Sequence, residues 1–213
     1  RALLIFFIFI HMIFSPLYSA LLVPNSFKTG RQLQQTLVDF GDWVDIEEQH
    51  VILVNPPGVS GIEAGLMAKL FTDQPFPAHI RYLSSGNDTV EIYRPDEKTL
   101  IVTPYSGYAP MPGAIQNPNT GQDLHIHPYN LIRRTDSFYY NPRIPLQAGQ
   151  QIQLTSLTIE ISEMNSDGQI AQAIFHFQKS LEDHQYLWLW WDSESSKYDL
   201  FQQPLVGETN VYQ

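Results

Sequence analysis

The sequence predicts an α+β chain: an N-terminal transmembrane helix, then a mostly antiparallel β-rich domain containing one strand-turn-helix unit. Three observations predict it. No charged residue occurs between Arg1 and Lys28. Residues 51–54 form a continuous apolar run closed by Pro56, Pro57 and Gly58. Beyond Pro77, segment after segment alternates polar and apolar residues, the period of a half-buried strand.

The first element is residues 2–23, ALLIFFIFIHMIFSPLYSALLV. About 20 apolar residues at a 1.5 Å rise cross a bilayer core of ~30 Å. His11 is its only strongly polar member. Pro16 is tolerable in a membrane helix, and Tyr18 suits the interface. The competing reading is a secretory signal peptide, with Arg1 as n-region, residues 2–14 as h-region and cleavage near Ala20. Tyr18 is bulky for the third position before that cut, and Leu21, Leu22 and Val23 continue the apolar run, so retention as an anchor is expected. The bilayer, met through residues 2–23, is thus one expected partner. Either reading places the remainder on the extracytoplasmic, periplasmic side of a cell membrane. The positive-inside rule supports this weakly, because Arg1 precedes the segment but Lys28 and Arg31 follow it.

Residues 29–48 read as a membrane-proximal helix, because Leu33, Leu37, Phe40 and Val44 recur at helical spacing. The run 51–54 reads as a strand buried on both faces. Residues 61–71 then fit a short helix with Ile62, Leu66, Met67 and Leu70 on one side. Strands are expected at 79–83, 89–94 and 99–103, the last two joined by the turn Pro95-Asp96-Glu97-Lys98. Residues 104–123, rich in Pro, Gly and Asn, read as a long loop. Strands are expected again at 150–154 and 158–164, with a turn at 165–168 and a return over 169–178. A last pair, 186–191 and 198–201, flanks a polar loop. No internal repeat or low-complexity tract interrupts this order.

A chain of 213 residues accommodates one domain and a short segment. The predicted division is a membrane helix at 1–28, a juxtamembrane helix at 29–48 and the β-rich domain at 49–213. Charged residues are 16% of the chain, against a usual ~25%. The shortfall is local: all 22 acidic residues and every basic one except Arg1 follow residue 27. A net charge of -10 disfavours nucleic acid and anionic membrane surfaces as partners. With no cysteine there is no disulfide framework, zinc-thiolate site or thiol nucleophile. The first residue is Arg, not Met, so the chain is expected to be a piece of a longer polytopic protein.

Several stretches carry a resemblance. HMIFSPLYSALL resembles a last membrane span, and HVILVNPPG resembles the strand that opens an outer domain. The long segment from RTDSFYYNPRIPLQAGQ through IAQAIFHF resembles a later β-rich core, and LWLWWDSESSKYDLFQQPLVG a terminal aromatic strand with a Pro-x-x-Gly ending. Together they resemble the C-terminal extracytoplasmic domain of uncharacterised bacterial multi-pass membrane proteins. The resemblance covers nearly the whole chain through loose, structural motifs. It implies a final span, an accessory domain outside it, and upstream membrane spans as partners. It implies no reaction, although the upstream spans of such proteins are similar to integral-membrane glycosyltransferases.

Four constellations could carry chemistry. Asp123, His125 and His127 alternate, so a strand would present one carboxylate and two imidazoles on one face, the start of a divalent metal site. A third firm ligand, His79 or Asp136, would have to come through the fold. The plain alternative is a polar loop entering a strand, with His127 extended before Pro128. Residues 58–61, Gly-Val-Ser-Gly, lack the spacing of a nucleophile elbow or a phosphate loop; Ser60 reads as a helix N-cap. Trp188 and Trp190 share one face of a strand and Trp191 takes the other. They read as sheet core first and as a sugar-stacking platform second. Asn87-Asp88-Thr89 is a glycosylation sequon, meaningful only in a eukaryotic secretory host. No cofactor is implied. The expected role is a non-catalytic accessory or interaction domain of a polytopic membrane protein. The alternatives are a carbohydrate- or glycolipid-binding module using Trp188 and Trp190, and a metal-dependent enzyme using Asp123, His125 and His127.

Overall fold

The computed structural model describes residues 47–56, 77–84, 89–105, 107–108, 146–166, 168–192, 195 and 197–212, with Ile10, Met12, Ser15 and Pro16. The predicted helices at 29–48 and 61–71 lie outside these residues, except that Glu47 and Glu48 sit in a turn. The segment 2–23 also lies outside them apart from four residues. Among the described residues no helix is long and apolar enough to cross a membrane.

Among the described residues, ten strands form two sheets. The smaller has the order β2-β1-β8-β9, where β1 is His50–Leu53, β2 His79–Tyr82, β8 Tyr186–Asp192 and β9 Lys197–Leu200. Strands β2, β1 and β8 are mutually parallel, and β9 returns antiparallel to β8. The continuous apolar run predicts this environment for β1. Val51, Ile52, Leu53 and Val54 are all 0–1% exposed, so both faces are covered. Strand β8 behaves alike: Trp188 faces one way with Tyr186, while Leu187, Leu189 and Trp191 face the other, all of them buried.

The larger sheet is antiparallel throughout, in the order β10-β3-β4-β7-β6-β5. Its strands are β3 (Val90–Tyr93), β4 (Thr99–Pro104), β5 (Gln151–Leu154), β6 (Leu157–Met164), β7 (Ile170–Phe177) and β10 (Thr209–Tyr212). The turns are those their residues favour. Asp96 Oδ1 accepts from the Lys98 N–H at 2.7 Å and closes the β3–β4 connection. Between β6 and β7, Asn165 Oδ1 accepts from the Gln169 N–H at 2.9 Å, and Gly168 adopts φ 75°, which a side chain would resist.

The sheets share one core. Ile52, Leu83, Trp188 and Phe201 meet Ile92, Val102, Phe175 and Phe177 from the larger sheet. Phe177 bridges the layers, with its ring 5.3 Å from both Tyr186 and Trp188. The architecture is therefore β-rich and mostly antiparallel, with three parallel strands, β2, β1 and β8, in the smaller sheet.

Strand β10 and the β9–β10 connection are tied down by Arg94, which is 4% exposed. Its guanidinium donates to the carbonyls of Asp96, Pro204 and Glu97 and meets Glu182 Oε1 at 2.6 Å. Hydrogen bonds from Arg94 and Ser180 lower the Glu182 carboxyl to about 2. A depressed carboxylate stabilises the fold above its unfolded value near 4.5, and that contribution disappears as pH falls toward 2. Because the Glu182 side chain is 57% exposed, solvent screening limits the effect to about 1 kcal/mol or less. Thermal melts of the parent and Glu182→Gln should differ at pH 6, and the gap should be much narrower at pH 2.5. An unchanged gap at both pH values would refute the assignment.

Candidate functional site

Asp123, His125, His127, Asp136 and Ser60 lie outside the described residues, as do Asn87 and Asp88 of the sequon. Among the described residues no group of three or more His, Asp or Glu is placed to hold a metal ion. His79, considered above as a distant third ligand, meets another histidine instead.

The two tryptophans of interest have different settings. Trp188 is 4% exposed, and its indole N–H donates to the Leu181 carbonyl at 2.8 Å. Its ring lies among Phe177, Tyr186 and Phe201. Two residues along β8, Trp190 lies nearer the rim and is only partly buried. It stacks on Phe201 with centroids 6.2 Å apart and meets Tyr212 of β10 at 5.4 Å. The Tyr212 hydroxyl accepts from Asn210 Nδ2 and donates to the Gln202 carbonyl. This corner joins an aromatic surface to hydrogen-bonding groups, and β10, which brings Tyr212 there, was not among the expected strands.

A second constellation lies where the three parallel strands begin. His50 opens β1, His79 opens β2 and Tyr186 opens β8, all in one transverse row. The imidazoles of His50 and His79 meet edge to face at 4.7 Å, and Tyr186 lies 5.9 Å from His50. From the larger sheet, the two-residue β5–β6 loop brings Ser156 Oγ to 3.3 Å from His50 Nδ1. Ser156 is the one non-glycine described residue with positive φ, at 62°. Holding a serine there costs roughly 1–3 kcal/mol. Burial, then the positive charges of His79, Arg81 and Lys179, hold the His50 imidazole below its usual value. The sequence signal was slight: His79 opens a predicted strand and His50 immediately precedes another, but only parallel pairing in this register makes them neighbours.

At the opposite end of β1, Asn55 is 1% exposed and its Oδ1 accepts the Trp191 N–H at 3.0 Å. It joins the ends of β1 and β8, where their chains depart for β2 and β9 on opposite sides. Comparison with protein-family models, curated proteins and solved structures finds no match to this chain.

Proposed function

We propose that this chain is a membrane-anchored, extracytoplasmic accessory domain that serves a larger polytopic protein without chemistry of its own. The observation that carries the reading is the uncharged run from Ala2 to Phe27, with its apolar segment 2–23, preceding a β-rich domain. The resemblance to the outer domains of bacterial multi-pass membrane proteins supports it. Upstream membrane spans are then its natural partner. The packing adds support: the aromatic residues of β8 mostly build the core, with Trp188 and Trp191 at 4% and 1% exposed.

The test is topological. A C-terminally tagged chain should stay with membranes through alkaline carbonate extraction. The tag should be digested when protease is added outside spheroplasts. Release by carbonate, or a protected tag, would overturn the reading.

A second reading, a carbohydrate- or glycolipid-binding module, is favoured by the corner where Trp190 and Tyr212 join Asn210 and Gln202. Sugar recognition combines an aromatic face with adjoining polar groups. In this reading Trp190, not the buried Trp188, makes the contact.

A further inference from the structure

We propose that the side-chain cluster of His50, His79, Arg81 and Ser156 binds an oxyanion, a phosphate group free in solution or carried on a lipid headgroup. The site is independent of the accessory-domain reading and lies on different strands from Tyr212.

The geometry points to it in steps. His79 and Arg81 are two residues apart on β2, so they share the face turned toward the larger sheet. His50 stands opposite His79 and Ser156 reaches it from the other layer. Arg81 donates through Nη1 to the carbonyl of its own neighbour Ile80, while its Nε is buried with no hydrogen-bond partner. Arg81 makes no ion pair with a described residue. A buried donor left unsatisfied costs roughly 1–3 kcal/mol, so a group that would accept from it is implied.

Charge decides which kind of group. The charges that act on His50 come from His79, Arg81 and Lys179, and each of them opposes a proton there. Asp183, the carboxylate that acts on Tyr186, is engaged by Lys179 at 3.4 Å and by His184 at 3.6 Å. Tyr186 faces the row as a neutral phenol, its hydroxyl raised by burial. A metal cation would add repulsion to this cluster, whereas an oxyanion relieves it. The Ser156–His50 pair also suggests a nucleophile and its base. General-base catalysis, however, must form an imidazolium at His50, which these neighbours oppose. The chain's overall charge of -10 does not forbid a local anion site, because screening beyond about 8 Å leaves the adjacent cations dominant.

Ser156 fits the same reading. Its hydroxyl can donate to an oxyanion while the backbone holds a conformation better suited to glycine. Strain of this kind persists where the residue has a task.

The experiment is an NMR titration of the histidine ring protons in the full chain, held in neutral detergent micelles at constant ionic strength. Sulfate is the first probe, because its charge is constant between pH 5.5 and 8. Saturable shifts of His50 and His79 are expected, with binding weaker at pH 8 than at pH 5.5, because burial and its cationic neighbours hold the His50 imidazole below its usual value. Arg81→Gln should weaken binding about tenfold and Arg81→Lys should recover part of it. His50→Gln is the second variant, should Arg81→Gln fail to fold by thermal melt. Ser156→Gly should melt no lower than the parent yet bind sulfate less well. Inorganic phosphate and micelle-doped dihexanoylphosphatidic acid then separate a soluble ligand from a lipid headgroup; shifts with either one support the site. No saturable shift with any of the three probes would overturn the proposal. So would undiminished binding in a folded Arg81→Gln, or binding equally strong at both pH values.

Discussion

Trp188→Ala is expected to lower the free energy of unfolding by about 3–5 kcal/mol, the range for truncating a fully buried large aromatic side chain. The site explains the size. Trp188 contacts aromatic rings from both sheets, so its loss opens a cavity at the layer interface. It also strips the Leu181 carbonyl of its indole donor, and Leu181 is itself fully buried. Trp190→Ala should cost only about 1–2 kcal/mol, because that ring already meets solvent on one side. Equilibrium urea unfolding of both variants provides the comparison, with a glycan-binding screen alongside. A loss below about 1 kcal/mol for Trp188→Ala would contradict its structural role. Weaker glycan binding by a stable Trp190→Ala would promote the carbohydrate reading over the accessory one.

Replacing Arg94 should have the second-largest effect. Arg94→Met is expected to cost about 2–4 kcal/mol, while Glu182→Gln costs about 1 kcal/mol or less. The asymmetry follows from exposure. Glu182 can be rehydrated when its partner goes, whereas the carbonyls of Pro204, Glu97 and Asp96 lose a donor that no methionine replaces. Arg94→Lys should recover little, since one ammonium cannot reproduce a planar fork of donors. Urea midpoints measured at pH 7 decide it. Equal losses for Arg94→Met and Glu182→Gln would mean that the ion pair, not the carbonyl contacts, carries the stability.

Much of the fold was legible because its signals are local. The apolar run at 51–54 announced a strand covered on both faces, and Val51 to Val54 are buried without exception. The β3–β4 and β6–β7 hairpins were readable from Asp96 and from Asn165 with Gly168, whose side-chain and backbone preferences act within four residues. Strand β10 was missed. Its burial pattern is exposed at three of four positions, so it carries no apolar alternation, and only pairing with β3 makes it a strand. Of the sites, the tryptophans were found for the right strand, but their unequal exposure depends on how far each lies from the sandwich rim. The metal candidates Asp123, His125 and His127 fall outside the described residues.

The sequence by itself determined the uncharged N-terminal run, the acidic remainder, the absence of thiol chemistry and most strand positions, since each depends on residue identity and short-range periodicity. Tertiary structure alone decided that β1 lies parallel between β2 and β8, though the 132 residues 54–185 lie between Leu53, its last residue, and Tyr186, the first of β8. Parallel pairing leaves no mark in the turn, because the strands are joined through long connections rather than by a hairpin. That pairing sets His50 beside His79, and the packing of the two sheets brings Ser156 to His50. Propensity acts between neighbours in the chain, whereas a site of this kind is assembled by register between segments that the chain keeps far apart.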